Sequence, residues 1–471
     1  MIYTQLFEKF KKKDSVIAAY IGAGHFGTAV VTQQKYVKDL SIPIVADTNL
    51  ENAKISFLKA GIPENKIVYC NTAKTASAAL LRGEFIYTDK VSILMEIPEI
   101  DIICEGTGIP EAGARYCMTA LENGKNVAIV SKELDSVIGT ILKKKADEKN
   151  LIYTPVDGDQ HGLLIQLFEW AKEIGLTVIS AGKSRDGEFV YDEKNKTVTI
   201  AADGITVHKT VTAHIPDDYI KYFEMIPEGK AQDYIEKRAE ILKNLPGAGG
   251  FDLCELTIMA NATGLKPYRP ELTQGILRIT ELPIAYCSTN NGGIYKDEEG
   301  IIDIQTCFRR KDESGMGGGV FLVVRCDNAY SNYILTTKGQ IPNYDCSTAV
   351  IYRPYHLCGV EVSTTLKAAV MLGLDTGSAN YKPRFDLVRK ALCDIKIGEI
   401  FGNDHDSRMT SLIYPATSRG ADSAVPAHML DGNTVKKEIK AGEIITYSMV
   451  EEPKNSMLWE LRLEQEKTFK K

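Results

Sequence analysis

Val16-Ile17-Ala18-Ala19-Tyr20-Ile21 runs directly into Gly22-Ala23-Gly24-His25-Phe26-Gly27, and Thr28-Ala29-Val30-Val31 follows. An apolar, β-branched run that feeds a G-x-G-x-x-G turn and opens into helix-forming residues reads as strand, turn and helix. Gly22 permits the tight turn, Gly24 lets the backbone approach a pyrophosphate, and Gly27 lets helix and strand pack closely. The helix start, with His25 and Phe26 in its first turn, offers free N–H groups and a partial positive charge to phosphates. A second strand, Ile42 to Ala46, ends at Asp47, twenty residues past Gly27. That is the position from which an acid takes ribose hydroxyls. Turn, strand and acid together predict a dinucleotide site, the alternative being a glycine-rich turn in some other α/β fold.

The stretch around this turn alternates strand patterns at 16–21, 42–46, 66–70, 101–105 and 126–130 with amphipathic stretches such as 50–60 and 111–122. The alternation predicts an α/β, doubly wound parallel sheet of Rossmann type over residues 1–150. Ile102-Ile103-Cys104-Glu105 leads into Gly106-Thr107-Gly108, and loops at the carboxyl ends of such strands face the cofactor crevice. Gly106, Thr107 and Gly108 are therefore expected to line it. Residues 151–385 read as an α+β substrate and dimerisation domain. Its strands are expected at 177–181, 197–206 and 319–326, and its helices at 162–174, 231–242, 252–262 and 361–372. Residues 386–471 hold an internal repeat: Asp394-Ile395-Lys396-Ile397-Gly398-Glu399-Ile400 recurs as Glu438-Ile439-Lys440-Ala441-Gly442-Glu443-Ile444. Two copies of a short strand and turn predict a small, pseudo-symmetric, β-rich domain.

With 44% hydrophobic and 25% charged residues in a 471-residue chain, the composition is that of an ordinary globular protein of several domains. A net charge of −6 leaves no broad basic surface for nucleic acid or anionic membrane. Lys11-Lys12-Lys13 follows Leu6, Phe7 and Phe10 and reads as a solvated helix end. No apolar stretch reaches membrane-spanning length, and no secretory leader precedes Val16. The ten cysteines are scattered, several inside apolar runs, and none forms C-x-x-C. That argues for reduced thiols in a cytoplasm, without a zinc site.

Lys183 follows the β-type run ending at Ala181 and is read as lying in a glycine turn. A lysine there can hydrogen-bond a substrate oxygen, stabilise a developing alkoxide and donate a proton; as a surface lysine it would do neither. Asp157-Gly158-Asp159-Gln160-His161 places two carboxylates, an amide and an imidazole on one turn. Asp159 and Gln160 could orient sugar hydroxyls, pair with Lys183, hold a divalent ion through oxygens, or simply cap the helix expected near Gly162. Tyr352-Arg353-Pro354-Tyr355-His356 supplies a guanidinium suited to a carboxylate or phosphate and a histidine able to carry a proton. Glu255, on the helix before Asn261, is a further substrate-site candidate. No metal ligand set stands out.

These segments, with Ala181-Gly182-Lys183, Ala260-Asn261-Ala262-Thr263-Gly264 and the C-terminal repeat, occur in one order. They resemble the homoserine-dehydrogenase-like oxidoreductases that carry a C-terminal SAF domain, of the 1-deoxy-D-xylulose 5-phosphate reductoisomerase-like kind. The resemblance covers nearly the whole chain. It implies NAD(P)-dependent redox chemistry on a small polar carbonyl or alcohol, a catalytic role for Lys183 with Asp159, and a place near the nicotinamide for Lys132. It also implies a SAF module that helps hold a sugar-like substrate. Two departures separate this chain from reductoisomerase-like members: Pro246-Gly247-Ala248-Gly249-Gly250-Phe251 lacks a cationic residue, and His161 stands where proline is usual.

The sequence leaves two cofactors open. Asp47 would repel a 2′-phosphate and favours NAD, whereas the resemblance favours NADP, and Asn49 and Lys54 nearby fit either. The leading expectation is an oxidoreductase, dehydrogenase or reductoisomerase, for a polyhydroxy or phosphorylated small molecule, working as a homo-oligomer, a dimer or tetramer. The alternatives are a homoserine-dehydrogenase-type amino-acid oxidoreductase and a non-catalytic dinucleotide sensor with a sugar-binding SAF module.

Overall fold

Seven strands form a wholly parallel sheet: β1 (Val16–Ile21), β2 (Leu40–Ala46), β3 (Ile67–Tyr69), β4 (Phe85–Thr88), β5 (Ile102–Glu105), β6 (Asn126–Ile129) and β7 (Tyr153–Pro155). Their order is β3-β4-β2-β1-β5-β6-β7, so the winding reverses beside β1. The structure, a computed structural model, describes residues 3–204, 207–296 and 298–469. Helices α1 (Tyr3–Lys9), α2 (His25–Gln33), α3 (Leu50–Lys59), α4 (Ala73–Leu81), α5 (Ser92–Glu96), α6 (Pro110–Glu122) and α7 (Lys132–Glu148) connect or flank the strands. The expected Rossmann-type doubly wound sheet is therefore present. β4 and β7, of four and three residues, were not anticipated.

The chain divides into two compact units. The first comprises the chain up to Gly162, Leu357–Met409 and Ala416 onward; the second comprises Leu163–His356 and Thr410–Pro415. Most of the 386–471 segment is thus counted with the nucleotide-type sheet. The reason lies in the helix Met457–Thr468, which packs against α6 and α7. Its Gln465 amide oxygen accepts from Thr140 Oγ1 at 2.6 Å and from the Ile141 N–H at 3.2 Å. Its Arg462 makes a two-pronged contact with Asp386, both arms 2.7 Å, and all four side chains are buried.

The repeat folds as a pair. Ile395 and Ile439 exchange both backbone hydrogen bonds, at 2.9 and 3.0 Å. Gly398 donates to Val435 O and Gly442 to Ala391 O, each at 2.8 Å. Both glycines take the left-handed conformation, φ 84° and 90°. In each copy the glutamate after the glycine accepts from a lysine N–H, Glu399 from Lys396 and Glu443 from Lys440. The pairing consists of isolated bridges rather than strands, because each copy offers only two or three pairing residues before its turn.

The second unit is built on a mixed sheet: β8 (Thr177–Ser184), β9 (Phe189–Asp192), β10 (Thr197–Ile200), β11 (Val211–His214), β12 (Lys266–Pro267), β13 (Gly275–Leu277), β14 (Ile301–Arg310), β15 (Val320–Arg325), β16 (Ile341–Pro342) and β17 (Ala349–Arg353). α8 (Gln160–Glu173), α9 (Ala231–Ile241) and α10 (Gly250–Thr263) match the helices expected at 162–174, 231–242 and 252–262. The strand expected over 197–206 ends at Ile200, and positions 205 and 206 lie outside the described residues. The long central strand β14 was missed: eight of its ten residues are buried, so it shows no alternation.

Candidate active site

The glycine turn lies in the first unit, at the point where strand order reverses. Gly22 has φ 98°, and a Cβ there would come within 2.5 Å of Gly106 O, so the 22–27 turn and the 106–108 loop touch. A Cβ on Gly27 would overlap Gly22 O at 2.3 Å and the Tyr20 ring at 2.6 Å; this glycine is the close packing of helix on strand. Gly24 differs: a Cβ there meets nothing within 4 Å. Open space at the second glycine, at the N-terminus of a nine-residue helix, is what a pyrophosphate requires. A groove lined by Ala23, Gly24, His25, Thr28, Asn52 and Lys59 leads away from it.

Asp47 is fixed by the turn itself. Its carboxylate accepts from the Ala23 N–H at 2.6 Å and from the Asn49 N–H at 2.7 Å. Asn49 caps α3, accepting from Glu51 and Asn52 N–H groups, and Lys54 is paired with Glu64 at 2.7 Å. The 106–108 loop is tied down from both sides. Thr107 donates through its N–H and hydroxyl to Glu105, at 3.0 and 2.6 Å, and the Gly108 N–H donates to Ser131 Oγ at 2.8 Å. Burial pushes the Glu105 carboxyl up, with Ser131 and Thr107 pulling against it. Lys132 is the first residue of α7.

The Asp157–His161 turn also belongs to the first unit. Gly158 has φ 84°, and a Cβ there would strike Leu357 O at 2.7 Å. The Asp157 N–H donates to Thr365 Oγ1 at 2.8 Å, and Thr364 donates to the Asp157 side chain. Asp159 accepts from the adjacent Gln160 N–H at 2.8 Å at the start of α8. Asp159, Gln160 and His161 are all buried.

Lys183 corrects its sequence reading: it lies inside β8, not in a turn, and is 1% exposed. Its ammonium is bridged to Asp252 Oδ1 at 2.9 Å and hydrogen-bonded to Glu255 Oε2. Asp252 also reaches back to the Gly249 N–H at 2.9 Å, fixing the start of α10. Asp252 and Glu255, three apart on a helix, share a face, and that face meets Lys183. Sequence reasoning named Glu255 and missed Asp252; an acid pair at i, i+3 just after a glycine loop was the available signal.

Arg353 and His356 complete the second unit's cluster. Val320 of β15 is opposite Lys183 on one side and Arg353 on the other, so the three occupy one cross-strand row. Arg353 ends β17, and its guanidinium lies 4.8 Å from the Tyr355 ring centre. His356 Nε2 is 3.9 Å from Asp186 Oδ1. A Cβ on Gly318, φ 73°, would come within 2.6 Å of both side chains, so only glycine lets the 315–319 loop close over them. Burial pushes the Asp186 carboxyl up, against the charges of Lys183 and His356. Asp186 was not singled out from the sequence because nothing in its spacing distinguishes it.

Residues 248–362 match the family described as oxidoreductase DRL, catalytic domain. A curated relative, 1-deoxy-D-xylulose 5-phosphate reductoisomerase of Thermotoga neapolitana, is 27% identical over 177 residues, 37% of this chain and 44% of the relative. Among solved structures, a myo-inositol dehydrogenase from Corynebacterium glutamicum is 16% identical with a TM-score of 0.26, covering 38% of this chain and 48% of its own. The UDP-N-acetylglucosamine 3-dehydrogenase GnnA from Acidithiobacillus ferrooxidans is also 16% identical, with a TM-score of 0.25 and the same coverages. The chain spans less than half the length of each of these relatives.

Proposed function

We propose that this chain is an NAD(P)-dependent oxidoreductase acting on a small polar carbonyl or alcohol, with a phosphorylated or polyhydroxy substrate and a reductoisomerase-type reaction as its finer assignment. The observation that carries the reading is the open space at Gly24 beside an Asp47 locked onto the same turn. The residues fit a dinucleotide: Gly24 and the α2 N-terminus take the pyrophosphate, Asp47 the ribose, and Gly106 to Gly108 the far side of the crevice. Asp47 and the Lys54–Glu64 pair favour NAD over NADP.

A bound nicotinamide supplies or accepts hydride. The chain's own residues do the rest. Lys183 holds positive charge in a dry site, where it stabilises a developing alkoxide. Asp252 and Glu255 hold it in place by ion pairs. Arg353, one strand beyond Val320, offers a two-pronged contact to an anionic substrate group. The match of 248–362 to an oxidoreductase catalytic domain includes Asp252, Glu255, Arg353 and His356 and supports catalysis over a pure sensor. The paired repeat supports a SAF-like module over 386–471. No helix among the described residues is long and apolar enough to cross a membrane, and a cytoplasmic setting and a homo-oligomeric state form part of the same proposal.

The test is cofactor oxidation by the purified full-length protein with NADH or NADPH and a panel of aldoses, ketoses and their phosphates. Substrate-dependent oxidation that Glu255→Gln lowers at least about tenfold is expected. Saturable dinucleotide binding with no turnover across the panel would instead support the sensor.

A further inference from the structure

The first turn of α7 lies against the 106–108 loop: Ser131 accepts from Gly108, and a Cβ on Gly108 would lie 3.9 Å from Glu133 Oε2. Residues almost three hundred positions downstream close over this turn. Asp404 is gripped at both carboxylate oxygens, by Arg389 Nη2 at 2.6 Å and by His428 Nε2 at 3.1 Å. The other ring nitrogen of His428 lies 3.4 Å from Ser136 Oγ on α7. His428 is 2% exposed and Arg389 1%. Arg389 Nε and Asp431 Oδ1 are buried with no hydrogen-bond partner among the described residues.

We infer that His428, oriented by Asp404 and Arg389, is a positioning residue that sets the charge of Glu133 beside the 106–108 loop, so that the C-terminal segment tunes how the crevice holds a dinucleotide. The inference rests on the proposed dinucleotide site. Lys132 and Glu133 on α7, Asp404 and Asp431 on the C-terminal segment and the fixed charge of Arg389 interact across the cluster that holds His428. Burial pushes the Glu133 carboxyl up, and the charges of Lys132 and His428 pull it down. Asp404 stays low although buried, through its bond to His428 and the charges of Arg389 and Lys132. An imidazole that gains a proton here adds a positive charge next to Glu133 and favours its ionised form. A merely structural ion cluster would hold the segment in place without changing dinucleotide affinity as His428 titrates.

The experiment uses the full-length protein, Asp404→Asn and His428→Gln. Ring-proton NMR follows histidine titration in the free protein, the His428 signal being the one lost in His428→Gln. NADH dissociation constants are measured from about pH 5 to 8, where imidazole titrates, on samples shown folded by circular dichroism. The His428 midpoint is expected to fall by about one pH unit or more in Asp404→Asn. Wild-type NADH affinity is expected to change at least about threefold across its titration, and His428→Gln to flatten that change. A His428 midpoint unmoved by Asp404→Asn, or superimposable NADH profiles for wild type and His428→Gln, overturns the inference alone. A wild type that binds neither NADH nor NADPH at any pH overturns the dinucleotide reading and this inference with it.

Discussion

Lys183 and Arg353, 170 residues apart in sequence, occupy one row of the second unit's sheet with only Val320 between them. Opposed residues project to the same face, and the two backbones stand about 10 Å apart, two strand spacings. The proposed substrate would place an oxygen at Lys183 and an anionic group at Arg353. Arg353→Lys keeps the charge but loses the two-pronged fork. Steady-state kinetics with a phosphorylated substrate should show KM raised by about tenfold or more and kcat changed less than about threefold. An unchanged KM would remove Arg353 from the substrate site.

Lys183, the proposed catalytic cation, is also a structural one. Lys183→Ala takes the shared counter-charge from buried Asp252 and Glu255, with Arg185 Nε left 3.7 Å from Asp252, and breaking such a buried pair typically costs about 3–5 kcal/mol. Thermal unfolding should show a midpoint lowered by about 6 °C or more, and turnover should fall at least about a hundredfold in the fraction still folded. Lys183→Arg should recover stability further than turnover, because a guanidinium cannot readily give up a proton. A Lys183→Ala protein with near wild-type kcat would contradict the assignment.

Asp431 supplies a pH signature. Burial raises its carboxyl from 3.8 to about 6. The folded state therefore binds the proton more tightly than the unfolded state, and this group's contribution to stability is present below about pH 4 and lost as pH rises through 6. Asp431→Asn removes that loss. Its melting temperature relative to wild type should be higher at pH 7.5 than at pH 4 by roughly 2 °C or more. An equal difference at both pH values would mean that Asp431 does not titrate in this way.

Asp47→Ser removes the carboxylate that would face a 2′-phosphate. The ratio of NADP(H) to NAD(H) affinity should rise by about tenfold, and a static ratio would show that Asp47 is not at the ribose. Because Asp47 also holds the Ala23 N–H at 2.6 Å, both absolute affinities should weaken.

The nucleotide-type sheet was legible because its signals are local: a strand, three glycines with separate steric tasks and an acid at fixed spacing. The distinct roles of Gly22, Gly24 and Gly27 appear in what a Cβ would meet at each. The repeat was equally legible, since Gly398 and Gly442 impose the same turn twice. The second unit was harder to read. Its long strand β14 is buried along most of its length and shows no period, and the partners of Lys183 come from a helix some seventy residues on. Nothing in the spacing of Asp404 and His428 connects them with Ser136, because only the fold brings those segments together.

The most direct test of the account is NADH binding to the wild type and to Gly24→Asp, measured by titration calorimetry alongside thermal unfolding. Since a Cβ at Gly24 meets nothing within 4 Å, the variant should fold with a melting temperature close to wild type. Its new carboxylate would occupy the pyrophosphate position. The account predicts saturable NADH binding by the wild type and at least about a hundredfold weaker binding by Gly24→Asp. Equal affinity in the two proteins, or no binding by a folded wild type, would contradict it.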